Sequence, residues 1–296
     1  MDVLINPAAC FLGTANAVLS GRGTSYATRF RGPLSVKSVL RGVATWETEQ
    51  GRFELVPGAV LLLNEEEEYT VTIEALHSVE TFCLFFERGF VEDAWRAATT
   101  SSASLLDSPQ AETRVMFAER LRFDAPLVSA MRDAHARMRD GDTLAESFDD
   151  VALALVQTQV DVASRVSRLP ALRASTRAEL ARRVALATSY LHANLERRVS
   201  IAEAARAAAL SPFHFHRLFA AFHGTTPHRY LTRLRLERAR ALLRATDAPV
   251  LDVALSCGFE SLGSFTSLFT RTFGVPPRTF ARSEKRAARA SATFAS

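Results

Sequence analysis

The sequence predicts an α+β protein of two domains, a small antiparallel β-barrel with attached helices followed by an all-α domain. Three observations lead to this prediction. The length of 296 residues exceeds one ordinary domain and suits two. From about residue 20 to residue 88, short apolar segments alternate with turn residues, as is typical of strands. After residue 178, apolar side chains recur almost throughout at the spacing of an α-helix.

The predicted barrel rests on six short segments that are rich in apolar and β-branched residues. They are residues 35–40, 44–48, 52–56, 59–63, 69–73 and 80–86. Turn residues such as Gly42, Gly51, Pro57 and Asn64 separate them. Short strands joined by tight turns are typical of a small antiparallel barrel or sandwich.

Two amphipathic helices are predicted after the strands. Leu127, Met131 and Met138 recur at helical spacing, as do Phe148 and Leu155. Such apolar stripes suit packing onto the barrel, and they also suit a helix-mediated homodimer. The sequence leaves both uses open.

The domain boundaries follow from shifts in composition. Residues 1–165 are predicted to form the first domain, and the arginine-rich stretch 166–178 with its central Pro170 is typical of a linker. Residues 179–285 are predicted to form the helical domain, followed by a basic, disordered tail at 286–296.

Composition and cysteine use exclude several classes of protein. The chain is 48% hydrophobic and 23% charged, which fits a folded protein and excludes a disordered or collagen-like one. No uncharged apolar run approaches the roughly 18–20 residues that cross a bilayer, and the amino end lacks the basic start of a secretory signal. Cys10, Cys83 and Cys257 are scattered and fit free thiols in a reducing compartment. We therefore expect a cytoplasmic protein without a membrane partner.

The charge is distributed unevenly between the two halves. Residues 1–176 carry 17 Arg and Lys against 24 Asp and Glu, whereas residues 177–296 carry 19 against 8. Lys37 and Lys285 are the two lysines, so the basic residues are nearly all arginine. The guanidinium group suits phosphates and base edges. The asymmetry indicates an acidic domain beside one that suits a polyanion such as nucleic acid.

Helix start signals divide the second half into seven predicted helices. Ser200 and Glu203 match a capping box, and Ser211 and Thr226 each precede a proline, a pattern typical of a helix start. The predicted helices are residues 179–195, 201–208, 212–223, 227–245, 250–256, 262–273 and 277–283.

Two segments of this half share one design, a short helix, a tight turn and a second helix. They are IAEAARAAALSPFHFHRLFAAF (201–222) and VLDVALSCGFESLGSFTSLFTRTF (250–273). Each has the length of a helix-turn-helix unit, whose second helix lies in the major groove of DNA. The long helix between them spans roughly 27 Å, comparable with one DNA turn of roughly 34 Å. One chain is therefore predicted to read two adjacent major-groove segments of double-stranded DNA.

Helical spacing separates the two faces of the first recognition helix. The core-facing residues share a spacing of three or four and are Phe215, Leu218, Phe219 and Phe222. The opposite face carries Phe213, His216 and Arg217. Arg217 suits bidentate contact with guanine, His216 a base edge or phosphate, and Phe213 a thymine methyl group. The alternatives are an ordinary surface arginine at Arg217 and a partly buried staple at Phe213.

The second recognition helix presents smaller side chains. Its core stripe is Phe265, Leu268, Phe269 and Phe273, and its outward stripe is Gly263, Ser264, Ser267 and Arg271. Such a face is expected to supply phosphate and shape contacts more than base discrimination. The candidate phosphate contacts, each of which equally suits a solvated surface role, are Arg206, Arg229, Arg233, Arg240, Arg271 and Arg278.

Residues 224–277 resemble the signature of the AraC/XylS transcription regulators. The signature pattern is matched by Gly224, Pro227, Tyr230-Leu231, Arg235-Leu236, Ala239, Leu242-Leu243, Thr246, Asp247, Val250, Val253-Ala254, Gly258-Phe259, Phe265, Phe269, Phe273, Gly274 and Pro277. The resemblance covers roughly residues 180–282, about a third of the chain.

The resemblance implies an activator or repressor that binds promoter DNA, with RNA polymerase as a partner if it activates. By position, the family's base-reading residues fall on Phe213, His216 and Arg217 in the first unit. In the second unit they fall on Gly263, Ser264 and Ser267. Many relatives carry a longer polar residue where Ser267 stands, which weakens the expectation of direct base readout by the second unit.

The first domain resembles the cupin-like domain that binds effectors and mediates dimerisation in many such regulators, chiefly at residues 52–64. The resemblance implies a small-molecule effector and a homodimer. His77 is the only histidine among the first 134 residues, so the metal-binding histidine cluster of cupin enzymes is missing. We expect no metal, no cofactor and no catalytic residues. The alternatives are a cupin-type metalloenzyme with a DNA-binding tail and a first domain that serves only dimerisation or protein contact.

Overall fold

A computed structural model of the chain describes residues 3–99, 115–123, 125–167, 169 and 173–294. In this part of the chain the first domain has a short 3-10 helix at Ala9–Phe11 and eight strands. The strands are β1 (Leu4–Ile5), β2 (Ala17–Arg31), β3 (Ser35–Arg41), β4 (Ala44–Thr48), β5 (Gly51–Leu55), β6 (Val60–Leu63), β7 (Glu68–Phe85) and β8 (Leu121–Arg122).

The strands form one strongly curved sheet. β2 and β7 pair antiparallel along almost their whole length, from Ala17 opposite Phe85 to Arg31 opposite Glu68, with an irregularity between Gly23 and Ser25. The other edge of β7 pairs first with β4 and then with β3. β5 extends the sheet from β4, and β6 and β8 extend it from β3. The sheet is a nearly closed antiparallel barrel, which confirms the predicted fold class.

Two features of the sheet differ from the predicted segments. Residues 69–73 and 80–86 are predicted as separate strands, but apart from Phe86 they all lie in the single long β7. β2 was not among the predicted segments because its glycines, arginines and serines hide the apolar alternation. Pairing with β7 supplies the backbone hydrogen bonds that a weak local preference does not.

Alternation along the strands separates two apolar layers. Leu61 and Leu63 of β6 point into the barrel, whereas Val60 and Leu62 point to its outer face. Three helices, α1 (Phe90–Thr99), α2 (Ala125–Asp140) and α3 (Ala145–Ser167), cover this outer face. The apolar stripes of α2 and α3 are therefore used in packing onto the barrel.

The second domain consists of helices in its described residues. They are α4 (Ala174–Ala193), α5 (Ile201–Ala207), α6 (Pro212–His223), α7 (Pro227–Ala245), α8 (Val250–Ser256), α9 (Leu262–Phe273) and α10 (Pro277–Phe294). None of the helices in the described part of the chain has the length and hydrophobicity needed to cross a membrane.

Two predicted segments differ from these helix bounds. The predicted linker 166–178 overlaps the end of α3 and the start of α4, and its residues 168 and 170–172, with Pro170, lie outside the described residues. The predicted disordered tail is helical up to Phe294, because α10 continues past residue 283, and residues 295–296 lie outside the described part. The alanines and arginines of 286–290 favour a helix, which the prediction from charge overlooked.

The two domains share one continuous apolar core and several polar contacts. Leu121 N–H donates to His192 Nδ1 over 3.1 Å, and Ser189 Oγ donates to the Ala118 carbonyl over 2.9 Å. The turn between β4 and β5 approaches the end of α4 closely, since a Cβ added at Gly51 would lie 2.6 Å from Ala193 Cβ. The domains therefore contact each other through backbone as well as side chains.

Gly258, at the turn after α8, has a left-handed backbone with φ of +75°. A Cβ there would lie 2.7 Å from the Leu195 carbonyl oxygen and 2.8 Å from Arg235 Nη2. We expect Gly258→Ala to lower the free energy of unfolding by about 2–4 kcal/mol, through backbone strain and overpacking. Urea unfolding followed by circular dichroism measures it. Gly263→Ala is the matched control, since an added Cβ there meets no atom within 4 Å. Equal effects of the two substitutions would contradict the prediction.

Candidate nucleic-acid interface

The first recognition helix, α6, begins at a side-chain cap. Ser211 Oγ accepts a hydrogen bond from His214 N–H over 3.4 Å, and Pro212 occupies the first turn. The preceding helix α5 begins with the predicted capping box, in which Ser200 and Glu203 exchange hydrogen bonds of 2.7 and 3.1 Å. These local caps fix where both helices of the first unit start.

The predicted two faces of α6 are present in the structure. Its buried residues are Phe215, Leu218, Phe219 and Phe222. Phe213 is 78% exposed, so it does not act as a partly buried staple. His216 and Arg217 are exposed as well. The three proposed base-reading side chains of this helix therefore face away from the core.

The second recognition helix, α9, has a similar design with smaller outward residues. Ser261 Oγ accepts from Ser264 N–H over 3.2 Å, and Phe265 and Phe269 are fully buried. Gly263, Ser264 and Ser267 are exposed. The short hydroxyls of Ser264 and Ser261 also lie 2.9 Å from each other, so Ser264 is engaged in the helix start.

The helix that joins the two units is α7, with 19 residues and a length of roughly 28 Å. Thr226 Oγ1 accepts from Arg229 N–H over 3.3 Å and caps its first turn. Its buried side includes Leu236, Ala239 and Leu243, which pack into the shared core. α7 is therefore held along one side by core packing, and it connects the two helix-turn-helix units.

The structure divides the six arginines proposed for phosphate contact into three groups. Arg206, Arg271 and Arg278 are exposed, and Arg271 lies on the same open face of α9 as Gly263 and Ser267. Arg229 and Arg233 are exposed but line a groove between α7 and the first domain, together with Glu119 and Arg165. Arg240 is paired with Glu237 over 2.7 Å and lies 4.9 Å from the centre of the Phe273 ring.

Comparison with known proteins assigns a family to each half of the chain. A model described as a helix-turn-helix domain matches residues 204–283, and a model described as an AraC-like ligand binding domain matches residues 21–154. Together the two matches cover well over half of the chain. This chain belongs to the AraC/XylS family of transcriptional regulators.

Individual members of the AraC/XylS family match only part of this chain. The chain is 37% identical over 92 residues to the probable transcriptional regulator LumQ of Photobacterium leiognathi, covering 31% of this chain and 37% of LumQ. It is 50% identical over 70 residues to the HTH-type transcriptional activator RhaS of Escherichia fergusonii, covering 24% of this chain and 25% of RhaS. The matches thus span about a third or less of these curated relatives.

Solved structures include a transcriptional regulator of Chromobacterium violaceum described as having an AraC-type DNA-binding domain. The chain is 32% identical to it, with 38% of this chain and 96% of that chain covered and a TM-score of 0.33.

The first domain of this AraC/XylS-family chain contains an apolar cavity of about 320 Å³ inside the barrel. Trp46, Tyr69 and Phe85 contribute to its wall, and Lys37 reaches into it from β3. Among the described residues, no group of three or more His, Cys, Asp and Glu is placed to hold a metal ion. The sequence signal for this cavity is a lysine in the middle of the apolar segment SVKSVL, and Lys37 is not among the predicted site residues.

Cys83 and Cys257, which the sequence predicts to be free thiols, are buried and form no disulfide. Burial raises the pKa of the Cys257 thiol to about 11.

Arg238, which was not predicted as a functional residue, is buried in α7 and contacts both domains. Such a role depends on tertiary contacts that no local pattern encodes.

Proposed function

We propose that this chain is a sequence-specific DNA-binding transcription regulator. The observation that carries the proposal is a pair of side-chain-capped recognition helices, α6 and α9, whose outward residues are exposed on a domain that matches the family's helix-turn-helix model. Each helix enters one of two adjacent major-groove segments, and α7 sets their separation.

Base discrimination in this proposal comes mainly from α6. Arg217 is exposed and long enough for bidentate contact with guanine, whereas Gly263 and Ser267 of α9 offer little hydrogen-bonding reach. Arg206, Arg271 and Arg278 contact phosphates, and they make affinity fall steeply with salt. Arg229 and Arg233 join them only when the groove beside the first domain opens toward DNA.

Arg217→Ala is expected to weaken binding to the cognate site about tenfold or more, because a bidentate base contact contributes roughly 1–3 kcal/mol. Binding to random DNA should weaken by a smaller factor. The cognate site is obtained by repeated selection from a random duplex library with the full chain, and fluorescence anisotropy at constant salt measures both affinities. Arg139→Ala, at an arginine that is 71% exposed on α2, is the matched control. Equal losses on both DNAs would assign Arg217 to phosphate contact instead.

The first domain supplies regulation in this proposal. Its match to a ligand-binding model and its barrel cavity support a small-molecule effector. We further propose a cytoplasmic homodimer that catalyses no reaction and contacts RNA polymerase where it activates. Leu153 and Val160 are apolar and exposed on the side of α3 that the barrel leaves uncovered. They support the homodimer because exposed apolar surface is typical of a protein–protein interface.

A further inference from the structure

The barrel cavity is lined by residues of β2, β3, β4 and β7. Apolar and aromatic side chains dominate its wall, including Trp46, Val71 and Phe85. Its volume of about 320 Å³ lies near the small end of the range for ligand pockets, roughly 300–1,000 Å³. The half-exposed Tyr26 of β2 marks the side that faces solvent. The cavity therefore suits a small molecule with an apolar body.

Lys37 places an ammonium group against this apolar wall. The residue is 1% exposed, and its Nζ has no hydrogen-bond partner among the described residues. The Nζ lies 3.4 Å from the centre of the Phe85 ring and 5.0 Å from that of Tyr69. Ring faces attract a cation, but they do not replace the hydrogen bonds that an ammonium loses on burial.

Tyr69 contributes a second unpaired group at the same place. Its side chain is 3% exposed, and its Oη also lacks a hydrogen-bond partner in the described part of the chain. The phenol and the ammonium are both hydrogen-bond donors. Two buried donors without an acceptor, beside one cavity, are rare in folded proteins. They indicate that the acceptor comes with a ligand.

The charges around the cavity favour an anion. None of the described residues that line it is acidic. Arg22 also lines the cavity but is paired with Glu80 over 2.6 Å, so the uncompensated charge there is that of Lys37. The titratable groups that line the cavity together with Lys37 are Arg22 and Tyr26 of β2 and Tyr69 and Cys83 of β7, and the lining residue of β4 is the non-titratable Trp46. Burial lowers the pKa of the Lys37 ammonium to about 7, as expected for a cation without a counter-ion.

We propose that the effector of this regulator is a small carboxylic acid, whose carboxylate accepts hydrogen bonds from Lys37 Nζ and Tyr69 Oη while its apolar body packs against Trp46, Val71 and Phe85. This assignment rests on the proposed function of the first domain as an effector-binding domain. The carboxylate supplies the missing acceptor and counter-ion, and it stabilises the charged form of Lys37. Binding above neutral pH therefore takes up a proton.

The low number of lysines gives a direct test. Carbon-13 labelling at lysine Cε yields two side-chain signals in nuclear magnetic resonance, since Lys37 and Lys285 are the two lysines of the chain. Lys285 pairs with Asp247 at the surface and serves as an internal reference. We expect 3-phenylpropionate or octanoate to raise the titration midpoint of Lys37 by at least about one pH unit. An unmoved midpoint with both acids at millimolar concentration overturns the proposal.

Calorimetry with matched ligands and variants tests the contact itself. The parent chain and Lys285→Met are expected to bind the acid equally, Lys37→Met at least about tenfold more weakly, and Tyr69→Phe more weakly by a smaller factor. Lys37→Met keeps the apolar stem and removes an unpaired buried charge, so it is expected to fold, which circular dichroism checks. The primary amides of the two acids should bind the parent at least about tenfold more weakly than the acids do. Equal binding of amide and acid, or of the acid to Lys37→Met and the parent, overturns the proposal.

DNA binding is measured separately, by fluorescence anisotropy of the same proteins without acid. A chain that binds its selected DNA site but neither acid refutes the carboxylate assignment and leaves the regulator proposal standing. A chain that binds acid through Lys37 but selects no DNA site refutes the regulator proposal alone.

Discussion

Acidification from about pH 6.5 to pH 4 is expected to lower the free energy of unfolding by about 5 kcal/mol, because two buried histidines remain neutral in the folded chain. Burial lowers the pKa of His192 to about 3 and that of His223 to about 4, from the ordinary value of 6.5. His192 Nδ1 accepts from Leu121 N–H, and its Nε2 lies 2.8 Å from Tyr230 Oη. Protonation of Nδ1 breaks the first of these contacts.

The free energy of unfolding falls on acidification because the unfolded chain binds more protons than the folded chain. Between the lowered folded pKa values and 6.5, the unfolded chain binds protons that the folded chain does not. The contribution to stability is therefore complete above pH 6.5 and is lost as the pH falls, at up to about 1.4 kcal/mol per pH unit for each histidine. Glu119 lies 3.7 Å from His223 Nδ1. Burial alone would raise its pKa, but the guanidinium groups of Arg165 and Arg122 more than offset burial and lower it.

Urea unfolding at several pH values between 7 and 4 measures this dependence. The double variant His192→Gln, His223→Gln is expected to be less stable at pH 7 but to lose much less stability on acidification. His228→Gln, at an exposed histidine on α7, should follow the parent chain at every pH. A parent chain whose stability is the same at pH 7 and pH 4.5 would show that these imidazoles are not held neutral.

Replacement of Arg238 by methionine is expected to cost about 2–4 kcal/mol of unfolding free energy. Arg238 is 2% exposed, donates to the Ser256 carbonyl over 2.9 Å, and pairs with Glu196 over 2.9 Å and with Glu54 of the first domain. Removing one partner of a buried ion pair typically costs 3–5 kcal/mol. The expected cost is somewhat smaller because the Glu54 and Glu196 side chains, 28% and 47% exposed, regain water.

Two further substitutions separate burial from charge. Arg244→Met removes another arginine of α7, one that is 53% exposed and pairs with Glu284, and it should cost less than about 1 kcal/mol. Glu54→Gln keeps the bonds of Arg238 to Ser256 and Glu196, and it should cost about 1 kcal/mol while weakening the contact between domains. If Arg238→Met and Arg244→Met lower the free energy of unfolding equally, the buried ion pair of Arg238 stabilises the chain no more than an exposed one.

The helices of the second domain were predictable because their boundaries are encoded locally. Ser211 with Pro212 and Thr226 with Pro227 place helix starts at the observed residues. The outward positions of α6 and α9 follow from helical periodicity once those starts are fixed, and their exposure agrees with the prediction.

The remaining features depend on contacts between residues far apart in sequence. β2 is a strand because β7 pairs with it, and Lys37 of β3 is buried because residues of β2, β4 and β7 surround it. Arg238 reaches Glu54 across 184 positions of the chain. The prediction of a disordered tail at 286–296 was wrong for a local reason. It weighed the charge of this segment above its helix propensity, and α10 continues to Phe294.

The close approach of Gly51 to Ala193 limits how the two domains can move. Added atoms at Gly51 would meet Ala193 Cβ at 2.6 Å and its carbonyl oxygen at 3.2 Å, and neither can rotate aside as a long side chain would. Rotation that presses the two domains together at this point therefore pushes Gly51 against the backbone of Ala193. Rotation that separates them loses only packing contacts. This contact therefore resists rotation of the two domains toward each other more than rotation apart.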